Sequence, residues 1–192
     1  MDALFGLKGD GYVMLAADAN QGRSIIVYKS DYDKIMPLDS NKLLAQAGPN
    51  ADTVNFGEYI QKNLALYELT NDLKLNTSAT AHFIRRTLAD ALRKGPYQTN
   101  LLLGGKDEGK DPELYWMDYL GAMHKLNFGA HGYGSSFTLS IFDSEWREGL
   151  SEAEGLEIIR HCIAELRTRF LISMPKFVCK IVDANGMREI EL

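Results

Sequence analysis

Four histidines, two cysteines, a paired-glycine segment and one acidic run are the residues of this sequence whose types could do chemistry. His82, His124, His131 and His161 form neither an HExxH pattern nor a paired spacing that would bring two imidazoles to one metal, so each is expected on the surface or satisfied in the core. His161 stands beside Cys162, which suggests a nucleophilic dyad, but adjacent residues on a helix point about 100° apart and do not face each other. Cys162 lies in a helical pattern and Cys179 in a β-rich run. Two cysteines without CxxC spacing make neither a disulfide framework nor a metal knuckle, and both are expected as buried, reduced thiols. Gly132-Tyr133-Gly134 precedes a helical pattern as a phosphate cradle would, yet a GxG without the rest of a dinucleotide or P-loop fingerprint is a tight turn. Asp107-Glu108-Gly109-Lys110-Asp111 lacks the oxygen spacing of an EF-hand, and Lys110 opposes a cation there, so a solvated hairpin tip is expected. These residues point to no metal site, no cofactor and no cofactor-binding residue.

The bulk properties exclude further classes. At 192 residues, with 45% hydrophobic and 24% charged side chains, the chain is expected to form one packed domain over residues 1–192. Acidic residues outnumber basic ones by 26 to 21, for a net charge of -5, and the basic residues are scattered, so nucleic acid is not an expected partner. Met1-Asp2-Ala3-Leu4-Phe5 has neither a basic nor an apolar leader region, and no stretch nears the roughly 20 apolar residues that span a bilayer. An intracellular protein without a membrane partner is expected.

The elements that must position any site follow from apolar spacing. Leu4 to Leu7 and Tyr12 to Ala17 flank the Gly9-Asp10-Gly11 turn signal and predict a hairpin, and Leu43 to Ala47 predicts a further strand before Gly48-Pro49. Phe56, Tyr59, Ile60, Leu64 and Tyr67 recur at helical spacing between Thr53 and Leu69, with Asp52 and Thr53 available as caps. A second helix is predicted from about Ser78, carrying Ala81, Ile84, Leu88, Ala91 and Leu92 to the stop at Gly95-Pro96. Strands are predicted at Asn100 to Leu103 and Leu114 to Tyr119 around a loop from Gly104 to Pro112. Helices follow from Ser136 to Trp146 and from a capping box at Ser151 to Glu154 through Phe170, and the chain closes with a strand from Phe177 to Val182, the turn to Gly186 and a last short strand. The order β, αα, β, αα, β implies an α+β fold of packed sheets flanked by helical pairs.

Several blocks resemble a known family. Gly11-Tyr12-Val13-Met14-Leu15-Ala16-Ala17-Asp18 is similar to the opening of proteasome subunits. Thr53 to Asn63, Leu101-Leu102-Leu103-Gly104-Gly105, Tyr115 to Leu120 and Ala130-His131-Gly132-Tyr133-Gly134 are similar to the β-type subunits of the T1B-like peptidase family, in the type-2 branch at the fourth β position. The likeness runs from Leu4 through Asn185-Gly186. It implies a four-layer αββα sandwich of the N-terminal nucleophile hydrolase type, assembled into the inner rings of the 20S core particle. In the family's catalytic members an N-terminal threonine supplies both hydroxyl nucleophile and amine base, because a hydroxyl attacks only when a neighbour takes its proton.

Aligned on Ala16-Ala17-Asp18, that threonine falls on Asp2, preceded by Met1. No Ser, Thr or Cys occurs before Ser24, and no Gly-Thr dipeptide exists at which self-cleavage could expose one. The family's supporting aspartate and lysine fall on Asp18 and Lys34. Without a nucleophile they are expected to persist as a structural pair, since removing one leaves the other unpaired. The family's serine beside the glycines falls on Tyr133 and its late aspartate on Phe170, while Ser173 matches the nearby serine.

The resemblance thus implies a non-catalytic β subunit, without catalytic residues, that helps close the chamber for ATP- and ubiquitin-dependent protein degradation. Its partners would be the other β subunits of its ring, an α-ring subunit and the opposing β ring, in cytoplasm and nucleus. The competing readings are a hydrolase with an unrecognised nucleophile and an outer-ring α-type subunit, which would carry an extra helix ahead of the first strand.

Overall fold

The computed structural model describes residues 2–23 and 26–192. Met1 and Ser24, on which the readings of the chain's first hydroxyl residue and its start rest, lie outside them. The first hairpin, β1 (Leu4–Lys8) and β2 (Val13–Asp18), precedes a separate two-stranded ribbon, β3 (Gln21–Arg23) and β4 (Ile26–Lys29). Then come β5 (Ile35–Pro37), β6 (Lys42–Ala47), α1 (Asn50–Asn71), α2 (Thr77–Ala91), β7 (Asn100–Gly105) and β8 (Glu113–Met117). The second half carries β9 (Met123–Leu126), β10 (Phe128–His131), α3 (Ser135–Glu145), α4 (Glu152–Arg169), β11 (Phe177–Asp183) and β12 (Gly186–Ile190).

Two five-stranded sheets, in the orders β10-β1-β2-β11-β12 and β5-β6-β7-β8-β9, pair antiparallel throughout. Alternation along each strand sorts its side chains into layers. Val13, Leu15 and Ala17 of β2 meet Leu43, Ala45, Leu102 and Leu114 between the sheets. Met14 and Ala16 face the other way, into a layer with Phe142, Ile159, Cys162 and Leu166 of α3 and α4. Leu44, Leu101 and Leu103 pack outward against Phe56, Ile60, Ile84 and Leu88 of α1 and α2. Three apolar layers separate helices, sheet, sheet and helices, which is the αββα sandwich expected. Strands covered on both faces need continuous apolar runs, and Val13 to Ala17 and Leu101 to Leu103 are such runs. The sheets approach so closely that a Cβ at Gly104 would lie 2.6 Å from Val13 Cγ1.

Differences from the expected elements have local causes. Helix α1 starts at Asn50, with Pro49 as its N-cap, because the proline's φ of -55° already suits helix entry. Asp52 and Thr53 are therefore first-turn residues and not caps: Asp52 accepts the Gln98 N–H at 3.0 Å, and the Thr53 hydroxyl donates to the Asn50 carbonyl. Helix α2 starts at Thr77, one residue ahead of the expected start, and Asn76 caps it, accepting the Ala79 N–H at 2.8 Å. Gly104 and Gly105 belong to β7, so the loop begins at Lys106. Asp118 ends β8 early, because its carboxylate accepts the N–H groups of Leu120 and Ala122 and folds a turn where the aromatics favoured strand. Short β9 and β10 were not predicted. The capping box is present: Glu154 accepts the Ser151 N–H at 2.9 Å while the Ser151 hydroxyl accepts the Glu154 N–H.

Candidate functional site

Four segments converge at one end of the sandwich. Asp18 is the last residue of β2, Asp2 lies just before β1, Lys34 just before β5 and Gly48 just after β6. The Lys34 ammonium donates to Asp18 Oδ1 at 2.8 Å and to Asp2 Oδ1 at 2.7 Å. Asp18 is 1% exposed and Lys34 7%, so this is a buried pair across the two sheets. Asp18 is further held by the N–H of Ala3 at 2.8 Å on Oδ1 and of Asn20 at 3.1 Å on Oδ2. Burial pushes its carboxyl above the usual carboxylate range, while the Lys34 ammonium and the Ala3 N–H pull it back and the Asp2 charge adds to the rise. The expected pairing of Asp18 and Lys34 at the sheet end is present.

Sequence reasoning missed the third member. In the sequence Asp2 stands out only for the hydroxyl it lacks, yet its carboxylate engages the same ammonium, and its Oδ2 accepts the Gly48 N–H at 3.0 Å. The signal available was a carboxylate at a position already aligned beside a lysine. Gly132 closes the other side: with φ +86°, its backbone passes so near Asp2 that a Cβ there would stand 1.9 Å from the Asp2 carbonyl oxygen. The paired-glycine segment is the tight turn expected, with the Ser135 N–H donating to the Gly132 carbonyl at 3.1 Å.

The remaining aligned residues are not gathered at the pair. The Tyr133 ring is 76% exposed and, among the described residues, makes no hydrogen bond to Asp2, Asp18 or Lys34. Phe170 ends α4 and stands edge-on to Phe137 at 5.9 Å, in the layer of α3 and α4. Ser173 does connect, by its backbone: its carbonyl accepts the Asn20 side-chain amide at 2.9 Å, and Asn20 in turn donates its N–H to Asp18.

A cleft of about 300 Å³ opens at this point, lined by Asp2, Tyr32, Lys34, Gln46, Gly48 and Thr53 among others. Acyl transfer needs a nucleophile and an oxyanion donor free to act together. Here both oxygens of Asp2 are engaged, and the carboxylate occupies the lysine and a backbone N–H at once.

The other chemical candidates are accounted for structurally. His131 is buried, stacked on Trp116 at 4.6 Å, with Nε2 3.0 Å from the Leu101 carbonyl, and burial pushes its pKa down to about 4. His161 is exposed beside Glu145 while Cys162 is buried and directed to the Thr138 carbonyl, so they form no dyad. Burial raises both thiols to about 12. The acidic run is more than a solvated tip: the Asp107 carboxylate accepts from the Thr77 N–H at 2.9 Å, the Thr77 hydroxyl at 3.1 Å and the Asn41 amide at 3.1 Å, fastening the start of α2. Among the described residues no three His, Cys, Asp or Glu side chains come together as a metal site, and no helix is long and apolar enough to cross a membrane.

Comparison with known proteins agrees with this architecture. Residues 2–182 match the profile of the family described as Proteasome subunit. The chain is 47% identical to "Proteasome subunit beta type-2-B" of Arabidopsis thaliana, over 98% of this chain and 95% of that one. It is 44% identical to "Proteasome subunit beta type-2" of Dictyostelium discoideum, over 98% and 96%. To "Proteasome subunit beta type-4" of Saccharomyces cerevisiae it is 39% identical, over 100% and 98%. With two antiparallel sheets between helical pairs and a match that runs nearly end to end, the chain belongs to the proteasome subunit family.

Proposed function

We propose that the chain is a non-catalytic β subunit of the 20S core particle, of the type-2 kind, which helps build the inner ring and the chamber for ATP- and ubiquitin-dependent protein degradation. The observation that carries the reading is the residue before Ala3. Where the family's catalytic members place threonine stands Asp2, and its carboxylate is bonded to Lys34 at 2.7 Å and to the Gly48 N–H at 3.0 Å. A carboxylate has no proton for a neighbouring amine to remove, and this one has both oxygens engaged in holding the two sheets' ends together. The buried Asp18–Lys34 pair then acts as structure, and chemistry of the threonine type has no starting atom.

The partners on this reading are the other β subunits of the same ring, an α-ring subunit and the opposing β ring, with the cytoplasm and nucleus as its compartments. Exposed apolar side chains support burial against neighbours: Leu66, Leu69 and Leu73 at one end of α1 and after it, Ile26 and Tyr28 on the β3–β4 ribbon, and Leu171 after α4. An isolated two-stranded ribbon is marginal in water, so this one fits a surface that a neighbour covers. Size-exclusion chromatography of a native extract followed by cross-linking mass spectrometry tests the proposal. Elution with a large complex and cross-links to α and β subunits are expected. A free monomer as the dominant form, with no cross-link to such subunits, would overturn it.

A further inference from the structure

The two donors that hold the Asp2 carboxylate amount to more than a spent catalytic site. Lys34 offers an ammonium that is 7% exposed, and Gly48 offers an N–H at the entrance to α1, a helix of 22 residues whose N-cap makes no side-chain hydrogen bond. A buried cation, a backbone N–H and the positive end of a long helix form a site for an anion. An anion of one kind is bound there: a carboxylate, with one oxygen 2.7 Å from Lys34 Nζ and the other 3.0 Å from the Gly48 nitrogen. It is bound bidentately, and it belongs to the chain itself.

We propose that the cleft is a carboxylate-binding site kept closed by Asp2 as a tethered ligand, and that without the Asp2 side chain it takes up free carboxylates, including the C-terminal carboxylate of a short peptide. The inference rests on the reading of the chain as a proteasome β subunit, whose chamber is where peptide carboxylates are produced. Three features support it. Asp18 is buried at 1% exposure and takes one of the three N–H donors of the Lys34 ammonium, which leaves donors for a second anion. Lys34 lines the cleft of about 300 Å³, so a carboxylate arriving from solvent has access to it. The tether makes the wild-type occupancy intramolecular, which raises the local concentration of carboxylate far above that of free ligands and excludes them.

The step is an exchange of ligands and makes or breaks no covalent bond. Asp2 leaves the site only by substitution, and the incoming carboxylate takes the same two donors. An amide in place of the carboxylate lacks the charge that Lys34 and the helix end select.

The test uses assembled particles carrying Asp2→Ala, purified at matched ionic strength in sodium chloride or sodium acetate, with density examined between Lys34 and Gly48. Acetate within hydrogen-bond distance of both groups is expected in the variant, none in wild type, and none in a variant that also carries Lys34→Met. A second arm compares N-acetyl-dialanine with its C-terminal amide: density for the acid alone shows that the cleft admits a peptide end, and acetate density without it restricts the site to small free carboxylates. An empty or water-filled site in acetate, or equal acetate binding in wild type, would overturn the proposal. If Asp2→Ala particles fail to form in chloride, assembly is repeated with acetate present throughout. Recovery of at least several-fold more particles with acetate supports the proposal, and no recovery overturns it. Presence of the wild-type chain in the particle reports on the proposed function separately, so the two can fail independently.

Discussion

Replacing Lys34 by alanine tests the structural role of the pair and has a pH signature. The substitution removes the only cation bonded to Asp18 among the described residues and leaves two carboxylates, Asp18 and Asp2, facing the space it occupied. Breaking a buried ion pair by deleting one partner costs about 3–5 kcal/mol, much of it the price of an unpaired buried charge. Asp18 is 1% exposed, so solvent screening offers little relief. Its carboxyl already titrates above the ordinary value because of burial, and the lysine is the largest influence opposing that rise, so the variant's carboxyl moves higher still. The sign follows: a folded state that holds the proton more tightly than the unfolded chain is favoured by acid. The Asp18 contribution is therefore fully present below the unfolded pKa of 3.8 and is lost as pH rises through the raised folded value. The deficit of Lys34→Ala is expected to be largest at neutral pH and to shrink as the pH is lowered toward 5. Yield of assembled particles and thermal inactivation of those particles, each measured across that range beside wild type, are the assays. On the proposed reading no nucleophile depends on Lys34, so particles that do assemble should keep all their peptidase activities. Normal yield with the complete loss of one hydrolytic activity, or a deficit that grows toward acid, would refute the reasoning.

Other substitutions carry their own expectations. Asp2→Thr, with Met1 removed so that the threonine amine is free, should give negligible turnover in particles whose other sites are inactivated. Phe170 lies in the apolar layer of α3 and α4 and supplies no carboxylate, and one missing polar group in a hydrolase site costs roughly 10²-fold or more; robust hydrolysis would contradict this. His131, with its pKa pushed down to about 4, is neutral in the fold, so protonation of the unfolded chain should cost about 3 kcal/mol of stability as pH falls from 6.5 to 4. His131→Phe should flatten that part of the stability curve, and an unchanged slope would show that another group is responsible. Asp107→Ala removes two hydrogen bonds at the start of α2 and a third from Asn41 and should lower stability by about 1.5–3 kcal/mol, read as a shift in the urea midpoint, whereas Glu108→Ala beside it should change little.

The layered fold was legible because its strands are buried on both faces. Runs such as Val13 to Ala17 leave no choice of which side to bury, and the helical periodicity from Phe56 to Leu64 contrasts with them clearly. The capping box at Ser151 was legible because both of its partners lie within four consecutive residues. Strands β9 and β10 were not legible. They are four residues each, β9 mostly exposed and β10 half glycine and histidine, and they owe their existence to pairing with β8 and β1. At the site, Asp18 and Lys34 could be paired from the family alignment, but the engagement of Asp2 depends on contacts 32 and 46 residues distant in sequence. The same distance hid the role of Asp107, which looks like a loop residue until the start of α2 is brought 30 residues back to it. Tyr133 illustrates the reverse error. The alignment sets Tyr133 at the position of a site serine, and the backbone turn at Gly132 instead leaves its ring in solvent.

The central claim is that this β subunit contributes architecture and no nucleophile. Native particles treated with a threonine-directed electrophile, separated into subunits and weighed by mass spectrometry, test it most directly. The catalytic subunits should each gain the mass of the probe while this chain remains unmodified, with Asp2 still present ahead of Ala3. Stoichiometric labelling of this chain at any hydroxyl or thiol, on the timescale of the catalytic subunits, would contradict the account.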